Sequence, residues 1–177
     1  MKTIALFSAA FAWAAAGAMY GADAPKSPWA GVSFDHPEKF TDIQDQLSPT
    51  EQGQQAILDN IREFLVSESK RFIPEGCQLS ITFTDIELAG KFEPWRGPKW
   101  DQVRIIEPVY PPRFRFTWSV TDSAGKVVKQ GKEDIRDTAF YLRVMIDKED
   151  PLRFEKDILK DWVSGSLGNV KRLVASN

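Results

Sequence analysis

The sequence predicts an α+β domain in which a mostly antiparallel sheet of four to five strands carries two main helices on one face. Two long segments repeat apolar residues at the three- and four-residue spacing of an amphipathic helix. Between them, two segments alternate apolar and polar residues, as half-buried strands do. A hairpin turn follows the second of these, so we expect a layer of antiparallel strands covered by helices.

The first two elements are a short strand and a long helix. Residues 31–34 form an apolar strand candidate. Ser48, Pro49 and Glu51 then make a capping box. The Ser48 hydroxyl can accept from the free amides of the first turn, the Pro49 ring fixes a helical φ, and the Glu51 carboxylate can bond back to the start of the helix. Pro74 ends the helix. Its apolar stripe comprises Ile57, Ile61, Phe64, Leu65 and Phe72.

Several strand candidates follow the helix. Apolar residues alternate with polar ones from Leu79 to Phe83, but beyond that point they shift to Ile86 and Leu88. One extra residue in a strand reverses the face that each side chain takes, so we predict a β-bulge near Thr84. The remaining elements are the short segment 103–106, the strand 113–121 with Phe114, Phe116, Trp118 and Val120 on one face, the turn 122–125 and the return strand 127–132.

The C-terminal part contains one ambiguous segment and one clear helix. Residues 138–146 fit either a helix or a strand. The last helix is predicted to begin at Asp150 and Pro151. Its charged residues, Glu155 among them, are expected to face water. Glu and Lys residues lie four positions apart on this face, a spacing at which they can form ion pairs. Its buried stripe comprises Phe154, Ile158, Leu159, Trp162 and Val163.

Composition and charge narrow the possible function classes. The chain has 177 residues, with 23 Lys and Arg against 25 Asp and Glu, and a formal net charge of −2. Nucleic-acid-binding proteins usually show a basic excess or a basic stripe, so no nucleic-acid partner is expected. One Cys and one His exclude an internal disulfide and a multi-histidine metal site. No nucleotide-binding or metalloprotease motif occurs, so we expect neither a cofactor nor a metal.

Residues 1–18 have the features of a secretory signal peptide. A positive charge precedes an apolar run, and small residues follow it. Ala16 and Ala18 form an A-x-A cleavage site, although the cut could lie as late as residue 24. No cysteine stands near the cut, so no lipid anchor is expected, and no later apolar run is long enough to span a membrane. We therefore expect a single domain at residues 25–177 in a periplasmic or secreted protein.

Three carboxylates are candidates for catalysis. Asp85 and Glu87 are two residues apart on a strand, so their side chains point to the same face. Two close carboxylates can divide the roles of acid and base in glycoside hydrolysis, and Asp101 could replace one of them. The alternative is that the pair forms ion pairs on a solvated sheet face, with Arg104, Arg113 or Arg115.

The segment 89–101 is the main candidate for contact with a partner. Pro94, Gly97 and Pro98 block regular structure there, and long irregular loops in compact domains are often functional. Trp and Arg are the residue types that dominate interface hot spots. The alternative is that the Trp rings fold back over the sheet as a lid on the core. The expected contact residues are Phe92, Trp95, Arg96, Trp100 and Tyr110.

Two other reactive side chains are interpreted as structural. His36 lies between Asp35 and Pro37 in a surface turn, because adjacent side chains point apart and cannot form a catalytic dyad. Cys77 follows a turn, and a catalytic thiol would need a histidine partner. We therefore interpret Cys77 as a small buried side chain.

Several strings of the sequence together are similar to one family. These are TDIELAG at 84–90, DQVRI at 101–105, YPPRF at 110–114, the D-x-x-G turn at 122–125 and FEKDILKDW at 154–162. The chain resembles the bacterial family known as domain of unknown function 3016. The resemblance implies an exported protein with a single domain, and it carries no catalytic residues that could be transferred.

Two hypotheses about function remain. The first is a non-catalytic binding module that contacts an envelope protein or polymer through the Trp95 and Trp100 segment, because no nucleophile, metal set or cofactor motif is recognisable. The second is a hydrolase that acts on an envelope polymer through the carboxylate pair.

Overall fold

The computed structural model describes residues 27–44, 50–144 and 147–176 of the chain. The predicted signal peptide and the predicted cap residues Ser48 and Pro49 lie outside these residues. The strands are β1 (Ala30–Phe34), β2 (Gln78–Glu87), β3 (Lys91–Phe92), β4 (Arg104–Ile105), β5 (Arg113–Thr121) and β6 (Val127–Arg136). The helices are α1 (Glu51–Ser69), α2 (Arg153–Leu167) and α3 (Val170–Ala175).

The main sheet has four strands in the order β1-β2-β5-β6. β1 runs parallel to β2, whereas β2, β5 and β6 are antiparallel to their neighbours. A second sheet consists of β3 and β4 alone. The fold class is therefore α+β with a largely antiparallel main sheet, as the sequence predicts.

The predicted bulge lies in β2. Phe83 pairs with Phe116, but the next pair along the strand is Asp85 with Arg115, so the register shifts between Phe83 and Asp85. The shift turns Ile86 into the core and leaves Asp85 on the polar face of the sheet, opposite the helices. This bulge explains why the apolar residues change phase between Phe83 and Ile86 in the sequence.

One face of the main sheet and the apolar stripes of the helices form the main core. The ring of Phe83 lies 4.9 Å from that of Phe116, and the ring of Trp162 in α2 lies 4.8 Å from Phe116 in an edge-to-face contact. Such pairs of aromatic rings stabilise a core beyond the area that they bury. The other face of the sheet carries polar side chains, which leaves the helices on one side only.

Several element boundaries differ from the prediction. The cap of α1 is Thr50, whose Oγ1 accepts a hydrogen bond from Gly53 N at 3.2 Å. The helix ends at Ser69 rather than near Phe72. β6 continues to Arg136, and α3 was not predicted. Short terminal helices and edge-strand ends depend on tertiary packing, which local sequence patterns report poorly.

The ambiguous segment 138–146 is neither a helix nor a strand where it is described. It contains a single 3₁₀ turn at Phe140–Leu142, followed by extended backbone at Arg143. Met145 and Ile146 lie outside the described residues. In the described ranges, no helix is long and apolar enough to cross a membrane.

Candidate functional site

The segment 89–101 forms most of a hairpin that ends with β4 at Ile105. β3 and β4 form its base, and two 3₁₀ turns, Pro94–Arg96 and Pro98–Trp100, form its end. We call residues 94–100 the aromatic tip. Gly90 opens the hairpin with a φ of +79°, where a Cβ would lie 2.6 Å from the carbonyl oxygen of Ile105. Only glycine permits this close approach of the two base strands.

A buried carboxylate holds the aromatic tip in place. Glu93 accepts a hydrogen bond from the Tyr110 hydroxyl at 2.5 Å and an ion-paired hydrogen bond from Arg96 Nε. Arg96 also donates to Glu107 at 2.8 Å. The Tyr110 hydroxyl, followed by the Arg96 guanidinium, lowers the pKa of Glu93 below its usual value. Arg96 and Tyr110, which we expected to contact a partner, therefore also help to position the tip.

The other three aromatic contact candidates, Phe92, Trp95 and Trp100, differ in exposure. The Trp95 side chain is 70% exposed. Trp100 is half-buried, with the Lys99 ammonium 5.3 Å from its ring centre, and Phe92 is half-buried with the Arg104 guanidinium 4.7 Å from its ring centre. The lid alternative is therefore wrong for Trp95, which among these three rings is the one exposed to solvent.

Sequence reasoning missed a second anchor of the hairpin, Arg104. Its guanidinium binds both carboxylate oxygens of Asp42, at 2.8 and 3.0 Å. It also donates to the carbonyl oxygens of Gly90 at 3.1 Å and Gln44 at 2.8 Å. The side chain is largely buried, and a fork of paired donors of this kind fixes both position and orientation. Arg104 was expected to pair with Asp85 or Glu87, but the fold places it on Asp42.

The candidate catalytic carboxylates have separate environments. Asp85 accepts hydrogen bonds from Thr41 N at 2.8 Å and Thr41 Oγ1 at 3.0 Å, and it lies 3.6 Å from Arg115 Nη1. Glu87 faces Arg113 across the strand pair. Asp101 is exposed in the turn that follows the aromatic tip. The contacts of Asp85 agree with the ion-pair interpretation of this strand, since its carboxylate connects the segment after β1 to β5.

A fully buried carboxyl group lies beneath the hairpin. Glu155 in the first turn of α2 accepts a hydrogen bond from Ala89 N at 2.7 Å, and no hydrogen-bond partner for its Oε2 is described. Burial raises the pKa of Glu155, and the hydrogen bond from the Ala89 amide, followed by the charges of Arg104 and Arg153, only partly opposes this effect. The expectation that Glu155 faces water was wrong. The sequence pattern does not indicate this burial, because a charged residue at the edge of the apolar stripe of a helix is expected to be exposed.

The remaining features lie away from the hairpin. A cleft of about 580 Å³ covers part of the polar sheet face around Thr82 and Thr117. A cleft of about 770 Å³ lies between Trp29 and the turn after β5. Cys77 is buried, as predicted, and desolvation raises the pKa of its thiol. His36 occupies an exposed turn, also as predicted. In the part of the chain that the structure describes, no cluster of His, Cys, Asp and Glu could hold a metal ion.

Comparison with known proteins gives one match. Residues 29–165 fit the family described as protein of unknown function, DUF3016. The chain belongs to this family. The match covers the four-stranded sheet, the aromatic tip and nearly all of α2, so these elements of the DUF3016 chain lie within the family's shared region. No curated protein and no solved structure shows significant similarity.

The contacts of Asp85 predict different outcomes for the two paired carboxylates. Asp85→Ala should lower the free energy of unfolding by about 1–2 kcal/mol, because it removes an acceptor from the Thr41 amide. Glu87→Ala should change it by no more than about 0.5 kcal/mol, since its carboxylate accepts no hydrogen bond among the described residues. Urea denaturation at pH 7 measures both values. Equal losses for the two variants would contradict the structural role of Asp85.

The burial of Glu155 predicts a pH dependence of stability. A carboxyl whose folded pKa is raised binds its proton more tightly in the folded state, so its contribution is complete below about pH 4.3 and is lost as the pH rises through the folded value. Glu155→Gln should remove this part of the decline in the free energy of unfolding between pH 4 and pH 8, as measured by urea denaturation. Glu63→Gln, an exposed change on α1, is the control and should keep the parent's slope. A steeper decline in Glu155→Gln would contradict the raised pKa.

Proposed function

We propose that this DUF3016 chain is an exported, non-catalytic interaction module of the bacterial envelope that binds a protein partner through the aromatic tip. The observation that carries the proposal is the exposure of Trp95 on an ordered hairpin. An indole ring that is 70% exposed leaves a large apolar surface in water, and Trp is the residue type most enriched in interface hot spots.

The tip is prepared for binding before a partner arrives. Its two 3₁₀ turns are closed by backbone hydrogen bonds, from Arg96 N to Glu93 O at 3.0 Å and from Trp100 N to Gly97 O at 2.8 Å. The Glu93 carboxylate fixes the first turn from below. Association costs less conformational entropy when the contact segment is already ordered, so this arrangement favours binding.

The shape around Trp95 supports a protein partner over a small ligand or a glycan. Neither of the two clefts described above is lined by a residue of the aromatic tip. Small-ligand sites are concave, whereas an exposed ring on a hairpin end suits insertion into a pocket of another protein. The hydrolase alternative receives no such support, because Thr41 and Arg115 occupy the carboxylate of Asp85.

Site-specific photo-crosslinking in intact cells tests the proposal. A photoreactive phenylalanine analogue placed at Trp95 should give a discrete protein adduct on illumination. The matched control is the same analogue at Val127, an exposed apolar residue at the start of β6, which should give none. Cell fractionation of the same samples checks that the chain is exported. An adduct that is missing at position 95, or equally strong at both positions, would overturn the proposal.

A further inference from the structure

The carboxyl group of Glu155 connects the first turn of α2 to the base of the hairpin. Its Oε1 accepts a hydrogen bond from Ala89 N at 2.7 Å, and the whole side chain is buried. No hydrogen-bond partner of Oε2 is present among the described residues. Because a buried polar atom without a partner is destabilising and rare in native structures, this carboxyl group is a candidate for a role other than packing.

The Arg104 guanidinium is not free to neutralise an ionised Glu155. Its two terminal nitrogens already donate four hydrogen bonds, two to the carboxylate of Asp42 and one each to the carbonyl oxygens of Gly90 and Gln44. A bond from either nitrogen to Glu155 would therefore break an existing one.

The other nearby cation, Arg153, is directed elsewhere. It stands two residues before Glu155 on α2, a spacing at which helical side chains do not face each other. Its Nη1 donates to the carbonyl oxygen of Asp150 at 3.2 Å, and its guanidinium lies 4.6 Å from the centre of the Phe154 ring. A negative charge on Glu155 would therefore stay buried without an ion-pair partner.

The protonation of Glu155 is linked to its contact with the hairpin. Burial raises its pKa, and the hydrogen bonds from the amides of Ala89 and of Glu155 itself, followed by the charges of Arg104 and Arg153, only partly oppose this effect. A group whose pKa is raised in the closed contact stabilises that contact fully below about pH 4.3, and this stabilisation is lost as the pH rises through the raised value.

The surroundings of this contact allow it to open without the rest of the fold. A minor core of three buried residues, Ala89, Phe140 and Phe154, lies there, separate from the larger core between the main sheet and the helices. The cap residue of α2, Leu152, provides no side-chain hydrogen bond to the first turn. Regions with few buried apolar contacts open locally at a lower free energy than the whole protein.

We propose that Glu155 is a proton-operated latch between α2 and the hairpin. With its proton bound, it holds the Ala89 amide and the latch is closed. When the proton leaves, the buried charge draws in water and the first turn of α2 parts from Ala89, while Arg104 still ties the hairpin to Asp42. The aromatic tip is therefore fixed in direction at low pH and less constrained at higher pH. The latch acts on the attachment of the hairpin, whatever the tip contacts, and so goes beyond the proposed function.

Amide hydrogen exchange followed by nuclear magnetic resonance from pH 4 to pH 8 tests the latch, with each rate corrected for the intrinsic effect of pH. In the parent, the protection of the Ala89 amide should fall about tenfold for each pH unit between about pH 4.3 and the pKa of the closed latch, and then level off, because opening releases one proton.

The amide of the preceding residue is an internal control. Leu88 N donates to the carbonyl oxygen of Asp42 at 3.0 Å and not to Glu155. It should be more strongly protected than Ala89 at every pH. Its protection should fall when urea is added, whereas that of Ala89 should hardly change, because a local opening exposes little surface.

Glu155→Gln shows whether this carboxyl group is the cause. The amide keeps the size of the side chain and the oxygen that accepts from Ala89, but it has no proton to lose, so the pH dependence should disappear. Glu63→Gln, an exposed change on α1, should keep the parent's slope. Circular dichroism at both ends of the pH range confirms that each variant is folded.

Three results would each overturn the latch. The first is an Ala89 protection in the parent that does not depend on pH. The second is equal protection and equal urea dependence of the Ala89 and Leu88 amides, since the opening would then be that of the whole protein. Both of these need the parent alone. The third is a folded Glu155→Gln variant that keeps the parent's slope.

Discussion

The minor core beneath the hairpin is the constraint on which the exposed surfaces of this protein depend. Ala89, Phe140 and Phe154 bury their side chains against one another, and the carboxyl of Glu155 accepts a hydrogen bond from the Ala89 amide. The cluster joins α2 to both ends of the hairpin and to the 3₁₀ turn at Phe140–Leu142. A buried carboxyl group whose second oxygen has no described hydrogen-bond partner lowers the stability of the fold. It persists because that same group satisfies a buried backbone amide and fixes where the hairpin leaves the sheet.

Ion pairs explain how apolar side chains remain outside a well-packed fold. Arg96 is bound to Glu93 at the aromatic tip, and Arg143, between the exposed residues Leu142 and Val144, is bound to three aspartates. In both places carboxylates hold a guanidinium while an apolar side chain next to it in the sequence is exposed. Isolated surface ion pairs stabilise a protein little, but networks that share one guanidinium restrict its geometry. Ordered apolar surfaces of this kind are suited to binding, because less conformational freedom is lost when a partner arrives.

Local patterns in the sequence predicted the fold class, the two main helices, the principal strands and the bulge in β2. Each of these depends on periodicity within one element, as at Phe83 and Ile86, where the apolar phase changes. The segment around Trp95 was identified from the sequence as a candidate contact site, but the structural roles of Arg96 and Tyr110 in holding the tip were not predicted. Those roles depend on Glu93 and Glu107, which the hairpin brings together. The burial of Glu155 and the pairing of Arg104 with Asp42 likewise arise from tertiary contacts between distant parts of the chain, which periodicity does not report.

The order of the aromatic tip is the central claim, and amide hydrogen exchange followed by nuclear magnetic resonance tests it most directly. The amides of Arg96, Gly97 and Trp100 donate to carbonyl oxygens at 3.0, 3.1 and 2.8 Å. They should therefore exchange more slowly than in an unstructured peptide, because exchange requires local opening. The Trp95 indole should at the same time be fully open to quenching by acrylamide. Exchange of all three amides at the rates of an unfolded chain would contradict the claim, since Trp95 would then belong to a disordered loop rather than to a surface prepared for binding.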